Sequence, residues 1–204
     1  MKEMTVQQLH DKLSSKEFQD PENGDLFYNY FVFQYDATKE HEMRQQIKEF
    51  KENFKRPTNY VDILTLDLFE EFCTFLDNTP FGRNNPSYLK YLFDKESKDA
   101  DAVLSNLTIK ANQQQFYEYI HNRIMEHVSI QDDLNRPYVF VYGLGEMFPH
   151  LRTNNFLTNY EQFNRTSKYK LIVFYPGHVE GNSYSLFDSL HDDHTYRATL
   201  LLNE

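Results

Sequence analysis

The sequence lacks tryptophan, has one cysteine and six glycines, and contains no long hydrophobic run. The single cysteine, Cys73, leaves no second thiol for an internal disulfide. No segment approaches the roughly 18 apolar residues that a membrane helix needs, and the amino terminus shows no apolar segment of signal-peptide length. These absences predict a soluble, cytoplasmic protein that is not associated with a membrane.

Basic residues are fewer than acidic residues. The chain has 21 lysines and arginines and 31 aspartates and glutamates, which gives a formal net charge of −10. Proteins bind the phosphate backbone of nucleic acids mainly through Lys and Arg, so this balance opposes direct nucleic-acid binding. Splitting 204 residues would leave two small cores. We therefore expect a single domain over residues 1–204.

Hydrophobic patterns predict strands that alternate with helices. Apolar runs rich in aromatic and β-branched residues predict strands at 26–36, 60–67, 136–144 and 169–177, with a short strand or docked tail at 195–202. Helical spacing predicts an amino-terminal helix and turn within 1–25, and residues 80–101 are typical of a polar excursion. The predicted fold is α/β, a single domain whose mostly parallel sheet of roughly four to five strands is flanked by helices on both faces.

Two of the predicted helices carry clear local signals. Asp36 or Thr38 can cap the helix after the first strand, in which Glu40 and Arg44 lie one turn apart. Its predicted buried stripe is Met43, Ile47, Phe50 and Phe54. In the next helix, helical spacing places Cys73 with Phe69, Phe72 and Leu76, which predicts a core cysteine rather than a nucleophile.

The Gly-Leu-Gly turn after the third predicted strand is similar to part of a dinucleotide-binding motif. Gly143 and Gly145 fit the Rossmann fingerprint, but Phe148 occupies the third glycine position, and no carboxylate ends the next strand at the ribose-binding position. A Walker loop is absent as well, because no glycine is followed by lysine. The turn is therefore interpreted as a tight connection after a central strand, and no cofactor is expected.

Other catalytic patterns are incomplete. His191 and His194 in HDDH, with His178 upstream, suit zinc or iron in residue type but not in the spacing of a specific motif. The G-x-S-x-G elbow of hydrolases is absent. Ligands of parallel sheets meet the carboxyl ends of the strands, which here are Asp36, Asp67 and residues 143–152 and 177–182. Candidate polar residues at those ends are Arg152, His178 and Arg197.

The carboxyl-terminal third contains YGLGEMFPHLRTNNFLTN and LIVFYPGHVEGNSYSLFDSLHDDHTYRA. The first of these segments contains, in order, a strand, a glycine turn, Phe-Pro and Leu-Arg. The second contains a strand ending Phe-x-Pro-Gly, a Leu-Phe pair, paired acids and Tyr-Arg-Ala. This order of motifs resembles the BrxB family of bacteriophage exclusion (BREX) systems. The matching residues are Gly143, Phe148, Pro149, Leu151, Arg152, Phe174, Pro176, Gly177, Leu186, Phe187, Asp192, Asp193, Tyr196, Arg197 and Ala198.

The first half resembles the family more loosely, through FVFQYDATKEHEMRQQI, with Ala37 where the family has proline. The resemblance implies a noncatalytic accessory subunit that contacts a PglZ-type phosphatase-like protein. An acidic, aromatic-rich chain suits docking on a protein. The alternative from another class is an enzyme, either a metal-dependent hydrolase using His178, His191 and His194 or a degenerate nucleotide binder at Gly143.

Overall fold

The computed structural model describes residues 5–19, 30–54, 61–83, 87–129, 137–163, 168–180, 183–187, 190–191 and 199–200. In these ranges the α-helices are α1 (Val6–Ser14), α2 (Lys16–Gln19), α3 (Glu40–Phe54), α4 (Leu68–Asn78), α5 (Tyr88–Glu96), α6 (Ala100–Ala111), α7 (Gln114–Ser129), α8 (Leu144–Met147) and α9 (Thr153–Tyr160). The strands are β1 (Tyr30–Tyr35), β2 (Ile63–Asp67), β3 (Tyr138–Tyr142), β4 (Lys170–Glu180), β5 (Ser183–Leu186), β6 (Leu190–His191) and β7 (Thr199–Leu200).

A parallel sheet forms the centre of the fold, in the order β2-β3-β4-β1-β7. The far end of β4 continues beyond this sheet and pairs in antiparallel fashion with β5, which pairs with β6. The sheet therefore has the α/β architecture and the mostly parallel pairing that the sequence predicts. β7 confirms the short strand that was one of the two alternatives for residues 195–202.

Helices cover both faces of the sheet because successive crossovers run in opposite directions. The connection from β1 through α3 leads to the far edge strand β2, and later connections return towards β1. Right-handed crossovers that run in opposite directions put their helices on opposite faces. We call the side packed by α1 and α3 the α3 face and the side packed by α4 to α9 the α4 face.

Alternation of side chains along each strand divides the core between these faces. In β1, Phe31 and Phe33 point to the α3 face, whereas Tyr30 and Val32 point to the α4 face. All four are buried, which explains why this strand is apolar in every position but one. The predicted stripe of α3 is confirmed, since its four apolar residues are at most 4% exposed.

The helix boundaries follow local capping. Asp36, rather than Thr38, is the capping residue after β1, and its carboxylate accepts from the Thr38 N–H at 2.9 Å. Between 80 and 101 the structure adds a helix that the polar composition did not suggest. This helix, α5, begins after Ser87, whose hydroxyl accepts from the Lys90 N–H at 3.1 Å, and it buries Tyr88 and Leu92.

Some predicted boundaries shift for a physical reason. β3 ends at Tyr142 because Gly143 adopts a left-handed backbone, with φ of 80°. The fourth predicted strand extends to Glu180 because its end pairs with β5. No helix in the described ranges is both long and apolar enough to cross a bilayer.

Candidate functional site

The loop that follows β3, residues 143–152, lies between two distinct environments. On one side Gly143 and Glu146 adjoin a cluster of charged residues at the carboxyl end of β2. On the other side Met147, Phe148 and His150 line an apolar groove. The loop therefore connects the carboxyl edge of the parallel sheet with the α4 face.

Arg44 of α3 is the centre of the charged cluster. Its Nη1 atom donates to Asp67 Oδ2 at 2.6 Å, and its Nε atom donates to Glu40 Oε1 at 2.8 Å. The Nη2 atom lies 2.8 Å from Glu146 Oε2 in an ion pair without hydrogen-bond alignment. The guanidinium also lies 5.3 Å from the centroid of the Tyr142 ring. Three carboxylates thus surround one cation, which ties α3 to the ends of β2 and β3.

Asp67 is held from two sides. Its side chain is only 4% exposed. Oδ1 caps α4 by accepting from the N–H groups of Phe69 and Glu70 at 3.1 and 3.3 Å, while Oδ2 accepts from Arg44. These partners satisfy a buried carboxylate that would otherwise destabilise the fold.

The electrostatics of the cluster keep its phenols neutral. Burial, followed by the charge of Glu40, raises the pKa of Tyr35, whose hydroxyl donates to Glu40. Burial, followed by the charge of Asp67, likewise raises the pKa of Tyr142. Burial alone lowers the pKa of Arg44, but the hydrogen bond to Glu40 and the charges of Asp67 and Glu146 raise it above its ordinary value. The arrangement keeps Arg44 charged and ion-paired with three carboxylates.

Both glycines of the Gly-Leu-Gly turn are explained by packing within the protein. A Cβ atom at Gly143 would lie 2.6 Å from Asp67 Oδ1. A Cβ atom at Gly145 would lie 2.9 Å from Cζ of Phe187, which belongs to the turn after β5. The third glycine position, Phe148, lines the groove. The turn thus brings the loop close to α4 on one side and to the β4-β5 hairpin on the other.

The groove lies between α4, α5, α6 and the loop, and it encloses a cavity of about 250 Å³. Apolar side chains dominate its lining, among them Phe69, Cys73, Phe93, Leu107, Met147 and Phe148. Two of these are strongly exposed, since Phe69 is 42% and Phe93 is 66% accessible. Large aromatic side chains this exposed beside a cavity are typical of an interaction surface.

Polar residues mark the rim of the groove. Glu96 at the end of α5 and Glu146 in α8 contribute carboxylates, and Glu146 is 49% exposed. His150 is the remaining polar member, and partial burial lowers the pKa of its imidazole. The rim is therefore acidic around an apolar floor.

Hydrogen bonds fix the walls of the groove. The Asn112 side-chain amide donates to the His150 carbonyl at 2.8 Å, and Thr108 Oγ1 lies 3.0 Å from His150 Nδ1. The Tyr88 hydroxyl donates to Asn106 Oδ1 at 2.7 Å, which joins α5 to α6. These contacts hold the groove open as a preformed feature.

Cys73 differs from its predicted place in the core. It is half-buried and lines the groove, because α4 turns one edge of its apolar face towards α5 and not towards the sheet. Burial raises the pKa of its thiol, and the charges of Asp67 and Glu70 raise it further. A protonated thiol is a weak nucleophile, so this environment does not activate Cys73.

The predicted site residues of the 143–152 loop fall together. Phe148 lines the groove, Pro149 is exposed after a cis peptide bond, and the Arg152 guanidinium lies 5.9 Å from the Phe148 ring centroid. The candidate residues of β4 lie apart from the groove, in the hairpin. Pro176 is buried and its carbonyl accepts from the Phe187 N–H at 3.0 Å. Gly177 and His178 pair with Leu186 and Ser185.

The remaining candidates, Asp192, Asp193, Tyr196 and Arg197, lie outside the described residues, as does His194. In the backbone register, His178 pairs with Ser185 and Ser185 pairs with His191, so β5 lies between the two histidines and their backbones are roughly 10 Å apart. In the part of the chain that the structure describes, no group of three His, Cys, Asp or Glu residues is arranged to hold a metal ion.

Sequence reasoning missed two parts of the site. The Glu40–Arg44 pair was predicted, but the contacts of Arg44 with Asp67 and Glu146 link residues far apart in the chain. The groove was missed because its walls include α5, inside a segment with a polar composition. The one available signal was the pair of aromatic residues, Phe69 and Phe93, among charged neighbours.

Comparison with known proteins gives a consistent result. A family model described as "BREX protein BrxB" matches residues 64–201. A curated protein of Bacillus cereus (strain H3081.97), also described as "BREX protein BrxB", is 27% identical over 180 residues, which cover 86% of this chain and 84% of the relative. No solved structure matches the chain.

Proposed function

The chain belongs to the BrxB family of BREX proteins, and on that basis we propose that it is a noncatalytic accessory subunit of a BREX phage-defence complex. In this proposal it binds a PglZ-type phosphatase-like protein and positions or restrains that partner. The family match supports the BREX assignment, and the choice of partner comes from the resemblance described above.

The observation that carries the adaptor role is the apolar groove on the α4 face, with Phe69 and Phe93 exposed beside it. Soluble proteins rarely expose neighbouring large aromatic side chains unless another molecule covers them. Aromatic and arginine side chains supply most of the binding energy of protein interfaces. Phe148 and Arg152, which carry the family resemblance, lie in the loop that forms one wall of the groove.

The charge of the chain supports a protein partner over a nucleic acid. The formal net charge is −10, and the groove rim carries Glu96 and Glu146. Acidic surfaces repel phosphate backbones and attract basic surfaces. Arg44 forms ion pairs with three carboxylates of this chain, so its charge is not available for a phosphate group.

Copurification tests the proposal. The chain is coexpressed with the PglZ-type protein of the same genomic neighbourhood, and the mass of the purified material is measured by size-exclusion chromatography with light scattering at micromolar total concentration. We expect a stable complex of the two proteins that Arg152→Ala weakens, because the change removes the guanidinium that lies 5.9 Å from the Phe148 ring centroid, while Arg83→Ala on the exposed surface leaves the complex intact. Recovery of both proteins as separate, folded species would refute the proposed function.

A further inference from the structure

Exposed large apolar side chains are concentrated in one part of the described structure. Phe69, Phe93, Leu104 and Ile109 belong to α4, α5 and α6, and the remaining one, Phe187, packs beside Gly145 in the hairpin. Phe69 and Phe93 line the groove, whereas Leu104 and Ile109 lie outside its lining. The groove is thus the place where exposed aromatic surface and a concave shape coincide.

The size of the cavity suits side chains of a protein partner. An apolar cavity of about 150 Å³ is enough to hold a benzene molecule. The cavity here measures about 250 Å³, so it has room for more than one apolar side chain. Because hydrogen bonds through Asn112 and Tyr88 fix its walls, little ordering is required of the groove on binding.

The secondary structure of the walls determines the form of the occupant. α4, α5 and α6 form three walls, and the backbone groups in the middle of a helix are already paired within the helix. An extended segment would find no strand edge here to pair with, so its own N–H and C=O groups would be desolvated without partners. A helix satisfies these groups internally and presents side chains to a groove at one-turn spacing.

The rim determines the charge of the occupant. Glu96 and Glu146 flank the apolar floor, and no lysine or arginine is among the described residues that line it. Glu146 also pairs with Arg44, but that cluster has three carboxylates for one cation and so keeps a net negative charge. Complementary charge across an interface favours the matching partner and disfavours partners of like charge. Two copies of this chain facing each other through this groove would bring acidic rims together, each on a chain of net charge −10. A basic partner segment therefore fits better than a second copy.

We propose that the groove between α4, α5, α6 and residues 146–150 binds an amphipathic helix whose apolar stripe is flanked by lysine or arginine. The assignment of that helix to the PglZ-type partner rests on the proposed function. The binding preference itself is a property of this chain and is tested without the partner.

The test uses displayed helical peptides of about 18 residues, or five turns, with leucine fixed at i, i+3, i+4 and i+7 and the flanking positions randomised. Selection against the intact purified chain is followed by a reactivity assay at Cys73. Because Cys73 is the sole cysteine and lines the groove, a peptide in the groove must slow its alkylation by N-ethylmaleimide. Intact mass measures the single modification.

We expect the selected peptides to be enriched in Lys and Arg over Asp and Glu at the flanking positions and to protect Cys73. Phe93→Ala should weaken their binding about tenfold, whereas Ile109→Ala, an exposed apolar residue outside the groove, should leave it unchanged. Glu96→Lys should weaken it at least about threefold, and Glu49→Lys on the exposed surface of α3 should not.

Three results would overturn the proposal. Selected peptides that leave the alkylation rate of Cys73 unchanged would show that they bind elsewhere. Selected peptides that are not enriched in Lys and Arg would show that the groove does not prefer a basic helix. A dimer of the free chain that Phe93→Ala dissociates would assign the groove to a second copy.

Failure of this proposal is distinguishable from failure of the proposed function. A complex with the PglZ-type protein that Phe93→Ala and Glu96→Lys leave intact would retain the adaptor role and exclude the groove. Protection of Cys73 by basic peptides without any complex would retain the groove and exclude that partner.

Discussion

The α3 face is covered chiefly by one helix of 15 residues whose four buried apolar residues fit the sheet, whereas the described part of the α4 face is covered by the helices α4 to α9. On α1 and α3 no large apolar side chain is exposed, but α4, α5 and α6 expose four. A regular amphipathic helix can bury its whole stripe against a sheet. Additional helices stacked further out create apolar surface that the sheet cannot cover.

The comparison is tested most strongly by the same substitution on the two faces. Phe50→Ala removes a ring that is 3% exposed and packs edge-on against Phe140 at 6.2 Å between centroids. We expect it to lower the free energy of unfolding by about 3–5 kcal/mol because it leaves a cavity in the core.

Phe93→Ala makes the same chemical change on the groove, and we expect a change within about 0.5 kcal/mol because the ring is largely exposed. Urea titration of both variants gives the two values. Similar losses from both substitutions would mean that the faces do not differ in the way described.

The charged cluster joins the two faces around the end of the sheet, and its removal is expected to have the second-largest effect. Arg44→Met leaves the buried Asp67 without its cation and should cost about 3 kcal/mol. Arg123→Met removes a longer ion pair, in which Nε lies 3.4 Å from Glu71 Oε2 and the Arg123 side chain is 44% exposed, and it should cost less than about 1 kcal/mol. Equal losses in thermal or urea unfolding would contradict the central role of Arg44.

The close contact between the loop and α4 is tested by a pair of glycines. Gly143 and Gly82 both have left-handed backbones, with φ of 80° and 65°, so alanine at either position should cost about 1–2 kcal/mol. The new Cβ overlaps Asp67 at Gly143, whereas at Gly82 no atom of the described residues lies within 4 Å. Gly143→Ala should therefore be at least about 1 kcal/mol more destabilising. Indistinguishable unfolding curves would rule out the overlap.

The smallest expected effect is a pH dependence that originates on the α4 face. Partial burial lowers the pKa of His121, and that of His150, below the ordinary value of 6.5. The unfolded chain then binds more protons than the native chain below pH 6.5, so the stability from these groups is present above that pH and is lost as the pH falls through the lowered native values.

His121→Phe should reduce this loss because a phenyl ring keeps the contact with Phe163 and does not titrate. Urea unfolding between pH 7 and pH 5 measures the difference in stability between variant and parent, which should shift in favour of the variant as the pH falls. A difference that stays constant over this range would contradict the assignment.

Much of the fold was predictable because its signals are local. The alternation of apolar strands with helices, the four-residue stripe of α3 and the Glu40–Arg44 pair all depend on spacings within one or two helical turns. The family match over residues 64–201 likewise confirms a resemblance that was read from short motifs. The soluble, cytoplasmic location and the single-domain organisation stay predictions.

The site was less predictable because it depends on contacts between distant segments. The residue type of Phe93 does not distinguish it from a phenylalanine of the core. Its exposure follows from the position of α5 against α4. The prediction of a core Cys73 is wrong for the same reason, since helical spacing identifies an apolar face but not what packs on it.

The α/β class, the acidic charge and the carboxyl-terminal motifs follow from composition or from neighbouring residues, so they are evident before any packing is considered. Three other features exist only in the folded chain: Arg44 pairs with Asp67 and Glu146, packing requires both glycines of the turn, and α4, α5 and α6 enclose a groove. These features depend on the distances between elements far apart in the chain, and those distances are fixed by the packing of the two cores on the sheet.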